Sequence, residues 1–116
     1  MLVLVAGDRI DGPRFSDFDT SAGFGMYGTA KAALSRLTQS FAAELYADGI
    51  AVNAAAPSNP VATPGAGTLD LAKEDTEDIS LITETAFLLC TGDPAVLTGR
   101  VVHTQPFLRE VGWLTS

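Results

Sequence analysis

Thiols are almost absent from this chain. Cys90 is its one cysteine, so no disulfide can close within it, and that usage fits a reducing cytoplasm. Histidine is equally scarce, with His103 standing alone. No CxxC, HExxH or paired-histidine spacing occurs, which argues against the common zinc sites and leaves no metal expected. Basic residues number 7 against 14 acids, a net charge of −7. A phosphate backbone or an anionic membrane is repelled on average, and no basic cluster overrides that average. Neither nucleic acid nor membrane is an expected partner. The apolar run from Met1 to Gly7 is far too short to cross a bilayer. It also lacks the basic start and cleavage pattern of a signal peptide.

What is present is the composition of one small globular domain. The chain has 116 residues, 47% of them hydrophobic, which is ordinary for a folded protein. Its 11 glycines and many alanines suit close packing of helix on sheet. Leu2 to Ala6 is a continuous aliphatic run, the pattern of a strand buried on both faces. A polar loop from Asp8 to Gly25 follows. From Met26 the period turns helical, with Ala30, Ala33, Leu34, Leu37, Phe41 and Leu45 on one stripe and Gly49 as the stop.

Ile50 to Ala55 reads as a second buried strand, and the Pro- and Gly-rich stretch from Pro57 to Gly67 as a loop. The segment Asp70 to Asp78 carries five acids and one lysine. It reads as a solvated lead-in to the next helix, since acids are favoured at helix N-termini. Ile79 to Cys90 is that helix, with Ile79, Ile82, Ala86 and Leu89 on one stripe. Gly92-Asp93-Pro94 breaks it, and Arg100 to Thr104 forms a third short strand. The tail from Phe107 to Trp113 is apolar without a clear period. Strands alternating with helices predict an α/β fold with a parallel sheet. Three strands alone leave sticky edges, so the sheet is expected to pair with something more.

Tyr27-Gly28-Thr29-Ala30-Lys31 carries the clearest chemical signal. Residues four apart share a helix face. A phenol titrates near pH 10, too high for proton transfer at neutral pH, but a nearby ammonium favours the phenolate. A tyrosine so placed can hand a proton to a carbonyl oxygen. The same two residues also occur as a plain surface pair on ordinary helices, so these five residues by themselves leave both readings open.

The surrounding order of motifs adds to this. The Tyr27–Lys31 helix runs through Gly49-Ile50-Ala51-Val52-Asn53 into Pro57 and Thr63, and Leu97-Thr98-Gly99-Arg100-Val101 follows later. In this the chain resembles the short-chain dehydrogenase/reductases over about Leu2 to Val102: Tyr-x-x-x-Lys, a helix, a Val-Asn strand, a Pro-Gly loop ending near Thr, and a Thr-Gly turn into a last core strand. The resemblance implies the C-terminal half of a doubly wound, Rossmann-type domain over residues 1–116. It implies hydride transfer between NAD or NADP and a carbonyl or secondary alcohol. Tyr27 would be the acid/base, and Lys31 its tuner and a contact of the nicotinamide ribose. Pro57, Val61 and Thr63 match the loop that touches the nicotinamide. A homo-oligomer through the Tyr27–Leu45 helix is implied as well.

Three departures stand out. The family's catalytic serine has no counterpart by strand context, where Ala6 and Gly7 stand. By spacing the nearest is Ser16, eleven residues before Tyr27, which is also readable as a simple loop residue. The family's usual glycine after Pro57 is Ser58, followed by Asn59-Pro60. The glycine-rich turn that brings a pyrophosphate to a helix N-terminus is missing, and Gly23-Phe24-Gly25 does not replace it. A chain without that half is expected to hold cofactor weakly. The alternative is an inactive remnant that serves only as an oligomerising module. His103 is expected to be a packed, hydrogen-bonded strand histidine, and Cys90 a buried small hydrophobe.

Overall fold

A computed structural model describes residue 23, residues 25–64 and residues 75–115. Five main elements follow in order: helix α1 (Gly25–Leu45), strand β1 (Ala54–Ala56), helix α2 (Ile79–Thr91), strand β2 (Val101–His103) and helix α3 (Thr104–Glu110). The strands pair in parallel, Ala54 with Val101, Ala55 with Val102 and Ala56 with His103. This is an α/β arrangement compatible with part of a Rossmann-type domain. The expected strand Leu2 to Ala6 lies outside the described residues. No helix among the described residues is long and apolar enough to cross a membrane.

Strand alternation assigns the helices to the two faces of the sheet. Val102 is buried with Leu89 of α2 and with Phe107 and Leu108 of α3. Val101 and His103 point the other way, into a cleft beneath α1. The apolar tail has a structure that its sequence does not announce. Phe107 and Leu108 sit on a short helix and are among the most buried residues described. Thr104, expected to end the strand, begins that helix instead.

Both longer helices lie where their periodicity puts them, but each turns a different face inward. On α1 the buried residues are Thr38 and Ala42, while Leu34, Leu37 and Phe41 of the expected stripe stay 44–51% exposed. Small side chains permit a close approach to β2 and its preceding turn. On α2 the inward residues are Leu81, Thr85, Leu88 and Leu89, not Ile79 and Ala86. This helix is apolar nearly all round, so its period alone does not select a face. Cys90, one residue past Leu89 and so about 100° round the helix, is exposed rather than buried. Asp78 caps α2 by accepting from Ser80 N at 2.8 Å, and the Ser80 hydroxyl, helped by that backbone bond, holds its carboxyl below the usual value. α1 ends in a 3-10 turn, Tyr46–Asp48, closed by Gly49 as expected.

Strand β1 is shorter than expected because residues before it bond to a turn instead of a ladder. Val52 N donates to Thr98 Oγ1 at 3.1 Å, and Gly99 N donates to Val52 O at 2.8 Å. Asn53 completes the clasp: its Nδ2 donates to Leu97 O at 2.9 Å and its Oδ1 accepts from Arg100 N at 3.0 Å. Gly99 has φ +70°, and a Cβ there would meet Ala42 Cβ at 3.4 Å. A side chain at this position meets backbone strain first. Beyond the turn, Arg100 clasps Glu110 in a two-pronged ion pair of 3.0 and 2.7 Å. The guanidinium holds the Glu110 carboxyl below its usual value.

Two substitutions test this packing. Asn53→Ala strands the Arg100 amide and the Leu97 carbonyl, and is expected to cost about 2 kcal/mol in denaturant unfolding. Thr85 is fully buried with no hydrogen-bond partner for its hydroxyl among the described residues. Thr85→Val keeps the shape, removes that unpaired group, and is expected to raise stability by about 1 kcal/mol.

Candidate active site

The first three turns of α1 lie along β1 and along Val101 and His103 of β2, and Pro57 and His103 stand at the C-terminal ends of the strands, the place where open α/β sheets bind ligands. A cleft of about 440 Å³ opens there, within the range of roughly 300–1,000 Å³ typical of small-molecule sites. Tyr27 and Lys31 form its helix wall, Pro57 and His103 close the strand ends, and Ala54 to Ala56 make the floor. Lys31 Nζ lies 5.3 Å from the centre of the Tyr27 ring. At that range an ammonium is attracted to the ring face. One helical turn separates the two residues, so the helix itself sets this spacing.

Other expected site residues fall in different places. Pro57 lines the cleft, directly after β1. Val61 and Thr63 do not line it. Val61 bridges to Glu77, and Thr63 N donates to Val61 O at 2.8 Å. Ser16 lies outside the described residues. Ser58, the departure from glycine, is unstrained, because no non-glycine residue described has a positive φ.

His103 was expected to be packed and hydrogen-bonded, yet it is exposed. It precedes α3 without making a side-chain cap and faces the same cleft as Lys31. The one signal for it in the sequence is its parity with Val101, two residues before. Glu77 is the second surprise. It belongs to the acidic segment read as solvated, but is only 5% exposed and accepts from Thr104 Oγ1 at 2.8 Å.

An α/β layer that sets a Tyr–Lys helix against parallel strands is compatible with part of a Rossmann-type domain. The family is specified by sequence: a family model described as enoyl-(acyl carrier protein) reductase matches residues 17–104, more than half of the chain. The chain belongs to the short-chain dehydrogenase/reductase family. No curated protein and no solved structure matches it.

Tyr27 is 60% exposed and Lys31 is exposed, so neither props up the core. Tyr27→Phe and Lys31→Met are each expected to change stability by less than about 1 kcal/mol in denaturant unfolding.

Proposed function

We propose that this chain carries the acid–base face of an oxidoreductase that moves hydride between NAD or NADP and a carbonyl or secondary alcohol. The observation behind the reading is the Tyr27–Lys31 contact inside a cleft at the strand ends. Membership of the family supports the oxidoreductase class. The cleft fits the nicotinamide and its ribose in character. It offers a hydroxyl, an ammonium and an apolar floor, and no carboxylate lines it among the described residues.

The cofactor, when bound, supplies or accepts the hydride. The rest is work for this chain's own residues. Tyr27 Oη gives its proton to the carbonyl oxygen during reduction and takes it back during oxidation. Lys31 steadies the negative charge left on Tyr27 Oη and reaches the ribose hydroxyls. Pro57 bounds the nicotinamide side of the cleft, with Val61 and Thr63 further along the same loop. The substrate is a small molecule. An enoyl thioester, the kind named in the description of the family model, is a second class to assay beside simple carbonyls.

The second part of the proposal is self-association through the Tyr27–Leu45 helix. Leu37 and Phe41 on that helix, with Tyr46 just after it, remain 44–53% exposed. Exposed apolar side chains grouped on one helix face are a common place for protein–protein contact. Light scattering at high micromolar concentration is expected to give a mass above that of one chain.

The chemistry is tested by substitution. Tyr27→Phe keeps the ring and removes the proton source, so turnover is expected to fall by about 10²-fold or more. Lys31→Met is expected to lower kcat and to raise the cofactor KM as well. Cofactor oxidation followed with carbonyl and enoyl substrates reads both. Intact turnover in Tyr27→Phe would rule out the mechanism.

A further inference from the structure

Glu77 is a buried carboxylate that the proposed chemistry leaves unused. It stands just before α2, and nearly all its contacts reach the loop after β1 or the start of α3. Thr104 Oγ1 lies 2.8 Å from its Oε1 and 3.1 Å from its Oε2. Asn59 N donates to Oε2 at 3.3 Å, with Gln105 Nε2 at 3.5 Å. The Glu77 amide donates to Pro60 O at 2.9 Å, and the residue forms a parallel bridge with Val61.

Ser58 is held by the same group. Its amide donates to Thr104 Oγ1 at 2.9 Å, and its Oγ accepts from Gln105 N at 3.1 Å. The Ser58 and Thr104 hydroxyls lie 3.2 Å apart. Thr104 has a single hydroxyl proton, and the carboxylate is its strongest acceptor within reach. A connected chain of hydrogen bonds results, from the Ser58 amide through the Thr104 hydroxyl to the Glu77 carboxylate, and each bond polarises the next. Burying a carboxylate is costly, and here its acceptor capacity is spent on the segment that follows Pro57.

We infer that Glu77 is a positioning residue for the cofactor loop, acting through Thr104 and Ser58 to fix the backbone from Pro57 to Val61. The inference rests on the reading of the cleft as a nicotinamide site. A loop held in this way presents Pro57 to the cleft at one fixed distance. Displacement of about 1 Å at such a site is enough to weaken function markedly.

The test has two arms, both on the full chain. Amide hydrogen exchange reads the loop without any cofactor. Glu77→Gln and Thr104→Val are expected to speed exchange at Asn59 and Gln105 by about tenfold, while the β1–β2 amides stay unchanged. Thr104→Ser, which keeps the hydroxyl, is expected to behave as the wild type. Should Thr104→Val fail to fold, Ser58→Ala removes the other hydroxyl of the group. Unchanged exchange in these variants would overturn the inference.

Titration with NADH and NADPH, followed by NMR shifts at Pro57 and its neighbours, is the second arm. The loosened variants are expected to bind about five- to tenfold more weakly than wild type, with Thr104→Ser restored. Loosened variants that bind as tightly as wild type would overturn the positioning role alone, leaving the oxidoreductase reading intact. A wild-type chain whose cleft residues show no shift with either cofactor would remove that reading, and the loop's cofactor role with it.

Discussion

The described structure depends on one clasp between residues more than forty positions apart. Asn53 uses both ends of its side chain to hold the turn from Leu97 to Arg100, and Val52 fastens to Thr98 and Gly99 beside it. The clasp sets the register in which Ala54 meets Val101. That register decides which side of β2 faces the core and which faces the cleft. Gly99 adds the second requirement, a left-handed backbone placed against Ala42 of α1. The Val-Asn pair and the Thr-Gly turn are therefore two halves of one device. Their joint presence in the sequence is a physical necessity more than a signature.

The sequence reads well where a property is local. The start and end of α1, the break at Gly92 and the two short strands are each announced by a few neighbouring residues. Inward faces are less legible. α2 is apolar nearly all round, so its hydrophobic period points in several directions, and contact with β1 and α3 makes the choice. On α1 the tight approach to the turn at Gly99 rewards small residues, so Thr38 and Ala42 go inward in place of the larger Leu34 and Phe41. The exposure of Cys90 follows from the rotation of α2. α3 went unread because its two most buried residues, Phe107 and Leu108, are adjacent and show no period.

The same division runs through the site. Tyr27 and Lys31 are one helical turn apart, so a helix assignment suffices to bring them together, and the structure places their side chains 5.3 Å apart, ring centre to ammonium. Pro57 follows β1 directly and reaches the cleft for the same local reason. Val61 and Thr63 share the loop without reaching the cleft. His103 and Glu77 depend on pairings across the fold. His103 faces the cleft because β2 pairs with β1 in one register. Glu77 is buried because Thr104 and Ser58 are brought to it from two other elements. An acidic segment read by charge alone gives no hint of either partner.

The cleft is lined along β1 by three alanines, Ala54 to Ala56, and its polar side chains come from α1 and from His103. Below a bound molecule there are methyl groups and backbone already committed to the ladder. On the proposed reading, selectivity would belong to the rim: the first turns of α1, the end of β2 and Pro57. On the same reading, exchanging rim residues would alter which molecule fits while the strand register beneath is kept.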